Sequence, residues 1–142
     1  MPLTPEQQAR EEIDGQLEAC GWLVQDFESM DIHAGLGVAV REYPLTWSEG
    51  AEVRSGFADY LLYADGWAIG VIEAKRAGHT LQGVSPQSEK YAKGLDKRVP
   101  ARYRPPPFAY ESTGAVTHRQ HNPRQDRTCS QQEPFTSDLL QD

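Results

Sequence analysis

The chain has 142 residues, 38% of them hydrophobic and 25% charged, with a net charge of −7. That is enough for one domain around a single core. It is too acidic for a strong free-standing binder of nucleic acid, because non-specific affinity comes from cationic contacts to phosphate, although a basic second half could form a local phosphate-facing surface. No apolar run reaches the roughly 20 residues that a membrane helix needs, and the start Met1-Pro-Leu-Thr-Pro-Glu6 lacks the basic-then-apolar order of a secretory signal. Cys20 and Cys129 form no CxxC pair, which fits a reducing, cytoplasmic setting. The charge is unevenly spread. Residues 1–74 hold fourteen Asp/Glu and three Lys/Arg, a balance of −11, and residues 75–142 hold seven and eleven, a balance of +4.

The elements follow in chain order. Thr4 as N-cap, Pro5 at the first helical position and Gln7 three residues after the cap predict a helix over 5–20. Ala9, Ile13, Leu17 and Cys20 form its apolar stripe, and Gly21 ends it. Trp22-Leu-Val24 opens a connection. Leu36–Tyr43 reads as a strand stopped by Pro44, and the polar, glycine-bearing residues 46–56 read as a loop. Phe57–Tyr63 and Trp67–Lys75 are the next strands, joined by a hairpin turn at Ala64-Asp-Gly66. A loop over 78–86, a helix over 87–95, an extended proline segment at 104–107 and a strand over Phe108–Ser112 follow. Beyond Gly114 no apolar period survives. The expected organisation is a domain over 1–114 and a poorly ordered polar tail over 115–142. The spacing of His118, His121 and Cys129 matches no closed four-ligand zinc set.

The chemistry concentrates on Asp59, Glu73 and Lys75. Glu73 and Lys75 are two residues apart on a strand, so they share a face. A carboxylate within a sheet is costly unless it is paired or holds a metal. Magnesium takes one or two protein carboxylates and completes its shell with water and substrate phosphate. A lysine beside it suits activation of the attacking water. The hairpin geometry sets a condition. With a strict two-residue turn Asp59 faces Ile72, and Asp59 joins the face of Glu73 and Lys75 only through a longer loop or a bulge. Taken alone, Glu-x-Lys is an ordinary charge pair at a strand end. Gln87 and Tyr91, four residues apart, occupy one helical face, as Glu6 does with Arg10, Ile13 and Leu17. Arg41 and Glu42 read as a structural or DNA-facing pair.

The order Glu6, Asp59, Glu73-x-Lys75, Gln87-x-x-x-Tyr91 resembles the N-terminal endonuclease domain of the R subunit of type I restriction enzymes, within the PD-(D/E)xK nuclease superfamily. The matching stretches include Thr4–Arg10, Gly37–Tyr43, Ala58–Tyr63, Val71–Lys75 and Tyr110–Gly114, so the resemblance spans about residues 3–114. It implies an α/β fold with a restriction-endonuclease-like core, a short mixed β-sheet flanked by helices. It also implies a type I site-specific deoxyribonuclease activity, hydrolysing phosphodiester bonds of double-stranded DNA with Mg²⁺. Metal ligation falls on Asp59, Glu73, the backbone carbonyl of Ala74 and, loosely, Glu6, whose place Glu11 or Glu12 fills equally well. Catalysis falls on Asp59, Glu73 and Lys75, with Gln87 and Tyr91 in DNA contact and cleavage. The implied partners are the modification and specificity subunits of a restriction complex.

Two departures qualify the resemblance. No GxxxxGK[ST] loop is present, so the ATP-driven translocase of the R subunit has no counterpart here. The family pattern also dissolves after Gly114, as it does in a shortened or frame-disrupted product or in a diverged terminus. The alternative function is a non-catalytic remnant that keeps the fold as a DNA-docking or assembly module.

Overall fold

The computed structural model describes residues 2–75, 94–102, 107–114 and 117–119. Helix α1 (Pro5–Ala19) starts as its sequence requires. Thr4 accepts from the Gln7 backbone N–H, and the Gln7 side chain accepts from the Thr4 N–H, so both halves of the capping box are made. Gly21, at φ +93°, turns the chain out of the helix in the left-handed conformation that glycine adopts freely.

Six strands form one mixed sheet in the order β1-β2-β3-β4-β5-β6: β1 (Leu23–Asp26), β2 (Gly37–Glu49), β3 (Glu52–Ala64), β4 (Trp67–Ala74), β5 (Phe108–Ser112) and β6 (Thr117–Arg119). The β1–β2 and β4–β5 pairs are parallel and the others antiparallel. The architecture is thus α/β with a mixed sheet, as expected. α1 is the one long helix among the described residues, and none of these is long and apolar enough to cross a membrane.

Four expectations change. The connection after Trp22 becomes β1, a parallel edge strand. Pro44 does not stop β2, which runs on to Glu49. β1 accompanies β2 only as far as Arg41, so Pro44 lies where one edge of β2 has no ladder to break. The expected loop over 46–56 is instead the far half of a long hairpin, paired from Tyr43–Ala58 to Glu49–Glu52. The sheet also continues past Gly114, because Thr117–Arg119 pairs with β5. The expected loop over 78–86, residues 87–93 of the expected helix, most of the proline segment and residues 120–142 of the expected tail lie outside the described residues. Gly94 is helical and Leu95 is buried.

The sheet carries a core on each face. α1 lays Ile13 and Leu17, with Trp22, on Ala39, Tyr60, Leu62, Ile72 and Tyr110. The opposite face packs Val38, Val40, Leu61, Tyr63 and Val71 under Leu95 and Val99. Burying a side chain of this size stabilises by about 1.5–3 kcal/mol, so these two clusters are what fix the sheet between its coverings.

The β3–β4 turn has two residues, Asp65 and Gly66, both at positive φ (49° and 78°), the geometry that matches strand twist. The register runs Ala64–Trp67 and Tyr63–Ala68, then shifts to Leu62–Gly70, Leu61–Val71 and Tyr60–Ile72. Ile69 is therefore an extra residue, a β-bulge. Burial agrees: Ala68 and Val71, three residues apart, enter the same core, which strict alternation forbids.

A second irregularity crosses β2 and β3. Pairing runs from Arg41–Tyr60 to Tyr43–Ala58 and skips Glu42 and Asp59. Glu42 has φ +50°, an uncommon state for a residue other than glycine. On either side of the break, Val40 and Tyr43 enter one core, as do Ala58 and Leu61. The break leaves Glu42 and Asp59 outside the pleat, and both carboxylates reach α1.

Candidate active site around Asp59 and the Glu73-Ala74-Lys75 strand end

Asp59 is held on both oxygens. Its Oδ1 accepts from Arg10 Nη2 at 2.7 Å, and its Oδ2 accepts from the backbone N–H of Ala74 at 2.8 Å. The second contact joins the acid of β3 to the Glu-x-Lys segment at the end of β4. Two features make it possible: the skipped pair, which frees Asp59 from the pleat, and the bulge at Ile69, which advances β4 by one residue. Continuing the shifted register from Tyr60–Ile72 brings Asp59 level with Glu73. The bulge that the sequence condition named is present, on a two-residue turn, and Asp59 turns its carboxylate to Arg10 on α1.

Glu73 Oε1 lies 3.9 Å from Lys75 Nζ, at the outer limit of an ion pair. Their side chains are 14% and 25% exposed, and that of Asp59 is 15% exposed, so all three lie at the sheet end within reach of solvent. Ala74 is half-buried, and its backbone N–H is the group that meets Asp59.

Glu6, in the first turn of α1, is exposed, as are Glu11 and Glu12. Among the described residues no three His, Cys, Asp or Glu side chains converge on one point, so no first-helix acid completes a cluster with Asp59 and Glu73. Gln87 and Tyr91 lie outside the described residues.

What α1 brings to Asp59 is Arg10, one turn beyond Glu6. Its Nη1 donates to Glu42 Oε1 at 2.7 Å while its Nη2 holds Asp59, so a single guanidinium spans the two acids that the ladder skips. Burial works to lower the Arg10 pKa, but Asp59 and Glu42 outweigh it and raise the value, so the cation is secure. A polar network continues behind it. The Tyr60 hydroxyl donates to Asp14 Oδ1 at 2.6 Å, with the Arg10 carbonyl 3.0 Å from the same oxygen. Arg41 Nη1 sits 3.3 Å from Asp14 Oδ2. Burial, then the Asp14 hydrogen bond and charge, push the Tyr60 hydroxyl well above the ordinary tyrosine range.

The sequence singled out Arg41 and Glu42 as a pair. The structure separates them: Arg41 serves Asp14, and Glu42 serves Arg10. Arg10 was legible only as a neighbour of Glu6 on the helix face. Its signal was the four-residue spacing from Glu6, which leaves two polar residues of opposite charge on a face otherwise bound for the core.

The donor set fits a hard cation. Asp59, Glu73 and the Ala74 carbonyl are all oxygen ligands, and two carboxylates are what magnesium usually takes from a protein. Arg10 and Lys75 each bring a positive charge to one of those carboxylates.

No curated protein and no solved structure matches the chain. A protein-family model does, over residues 30–124, a span that includes Asp59, Glu73, Lys75, Gln87 and Tyr91 and leaves out Glu6 and Arg10. Its description names the second domain of the endonuclease subunit, where the sequence resemblance pointed to an N-terminal endonuclease domain; both point to the same subunit. As the match takes in more than half of the 142 residues, the chain belongs to the family of the type I restriction enzyme EcoKI endonuclease subunit second domain.

Proposed function

We propose that this domain is a Mg²⁺-dependent endonuclease unit of the PD-(D/E)xK kind, acting on double-stranded DNA with the other subunits of a type I restriction complex. The observation that carries the reading is the 2.8 Å hydrogen bond from Ala74 N–H to Asp59, which ties the acid of β3 to Glu73-Ala74-Lys75 on β4. Asp59 and Glu73 would hold the metal, with the Ala74 carbonyl as a third oxygen. A bound divalent cation would polarise the scissile phosphate and lower the pKa of its water. Lys75, beside Glu73, orients the attacking water or offsets charge on the phosphate. Gln87 and Tyr91 are proposed for DNA contact, and Glu6 is the weakest of the proposed ligands because it is exposed and apart from the acids.

A second reading, a non-catalytic docking or assembly module, draws on the Arg10–Asp59 pair. That pair gives Asp59 a complete set of partners with no metal. The two readings part on metal binding. In the nuclease reading, millimolar Mg²⁺ or Mn²⁺ raises the melting temperature of the wild type and not that of an Asp59→Ala/Glu73→Ala double variant. Equal shifts in the two proteins would remove the metal site and leave the docking module.

A further inference from the structure

We propose that Arg10 is a latch on the metal site, a resident cation that holds Asp59 in the metal-free protein and transfers to Glu42 when a divalent ion binds. The inference rests on the proposal that Asp59 is a metal ligand.

Of the two Asp59 oxygens, Oδ2 is fixed by a backbone N–H that cannot leave without opening the strand end. Oδ1 is held by a side chain. A metal approaching Asp59 therefore has to displace Arg10 from Oδ1. A guanidinium at 2.7 Å fills that oxygen's outward direction with positive charge, which repels a second cation.

The guanidinium has somewhere to go. Glu42 already accepts from its other terminal nitrogen at 2.7 Å, and the Glu42 side chain is 63% exposed, so it is free to swing with its partner. Glu42 stands on β2 at the position skipped opposite Asp59 of β3 and adopts φ +50° there. Left-handed backbone at a non-glycine residue persists only where its surroundings enforce it, and here it directs a carboxylate to Arg10. The Arg10 Nε is buried and makes no hydrogen bond, so the grip on Arg10 lies entirely in the two terminal nitrogens. Release from Asp59 thus exchanges one of two charge-assisted contacts and does not strand the side chain.

The consequence is a competition. The apparent affinity of the site for a divalent cation is its intrinsic affinity reduced by the fraction of molecules with Arg10 on Asp59. Removing Arg10 strengthens binding. Removing Glu42 weakens it, because the released arginine loses its second anchor.

The experiment is a double-variant cycle on the full chain, read by Mn²⁺ titration with electron paramagnetic resonance and independent of catalysis. Arg10→Gln is expected to bind Mn²⁺ about tenfold more tightly, the scale of one charge-assisted contact. Glu42→Gln is expected to bind several-fold more weakly in the wild-type background and to have little effect in the Arg10→Gln background. A Glu42→Gln effect of equal size in both backgrounds would mean general electrostatics and would overturn the latch. Unchanged or weaker Mn²⁺ binding by Arg10→Gln would overturn it too, and would make Arg10 a scaffold for Asp59. Arg10→Lys, which keeps the charge but cannot span two acids, checks folding and is expected to bind more tightly than the wild type. Absence of Mn²⁺ binding in every protein would refute the metal assignment itself, and the latch with it, whereas binding abolished only by Asp59→Ala keeps that assignment in force whatever Arg10 does.

Discussion

Asp59→Ala, measured without metal, weighs what the acid contributes to the fold. The substitution removes the carboxylate that accepts from Arg10 and from the Ala74 N–H. A hydrogen bond to a charged group contributes about 1.5–3 kcal/mol when buried. The Asp59 side chain is 15% exposed and that of Arg10 is 35% exposed, so solvent screens the ion pair. Arg10 also keeps Glu42. The net expectation is a loss of about 1–2 kcal/mol, or about 3–7 °C in melting temperature for a domain of this size. Asp59→Asn is expected to lose nearly as much, because an amide cannot satisfy the Ala74 N–H and the guanidinium with one oxygen while its NH₂ avoids the arginine. The assay is urea unfolding in EDTA, followed by far-UV circular dichroism. A rise in stability on either substitution would show that Asp59 is a strained acid awaiting a cation, and would refute the view that Arg10 and Ala74 satisfy it.

Lys75→Ala, in a domain fused to a complete R subunit whose own nuclease is inactivated, is expected to lower plasmid cleavage by about 10²–10⁴ while keeping Mn²⁺ binding; cleavage at the wild-type rate would remove Lys75 from the chemistry. Tyr60 and Tyr63 are both held neutral, their pKa values raised by burial and then by hydrogen bonds to Asp14 and Tyr43. A folded-state pKa above the unfolded value of about 10 contributes stability that is intact below pH 10 and lost above it, at up to about 1.4 kcal/mol per pH unit for each tyrosine. Urea unfolding from pH 8 to 12 is expected to show that decline, and Tyr60→Phe to flatten it at a cost of about 1 kcal/mol at pH 8; an unchanged slope would contradict the burial argument. Gly70→Ala would place a Cβ 2.8 Å from the Phe108 carbonyl oxygen across the β4–β5 pair, and is expected to destabilise by about 1–3 kcal/mol; a melting temperature within a degree of the wild type would refute it.

How far the sequence carries is clearest at particular residues. The Thr4-Pro5-Glu6-Gln7 start of α1 was readable because capping is a local hydrogen-bond pattern, and Ala9, Ile13 and Leu17 are buried as their spacing requires. Phe108–Ser112 was also readable as a short strand. The far half of the hairpin was not. Thr46, Ser48 and Ser55 look like loop residues, and their strand state comes from each other across the ladder and from the core that holds Leu45. β1 escaped because four residues at an edge carry no period, and only the β2 partner defines them. In the site, Asp59, Glu73 and Lys75 were legible from type and spacing. Arg10 and Glu42 were not, because their meeting depends on a skipped ladder pair and a positive φ, neither of which leaves a mark in residue types.

The bulge at Ile69 turns strand β4 into a counting problem. Side chains alternate but the bulge absorbs one residue, so the side on which Glu73 and Lys75 emerge depends both on the count between the turn and the motif and on the bulge. Deleting Ile69 would restore strict alternation and leave the pairs from Leu62–Gly70 onward, and the side of Glu73 and Lys75, as they are. Deleting a second residue would slip the register by one, send both side chains through to the α1 side and draw them about 3.3 Å toward the turn. Length changes at the Gly50-Ala51 tip have no such effect, because the ladder from Glu49–Glu52 inward keeps its own register. Related chains that vary in length are therefore expected to vary at that tip and, between Trp67 and Lys75, by no more than the bulge residue.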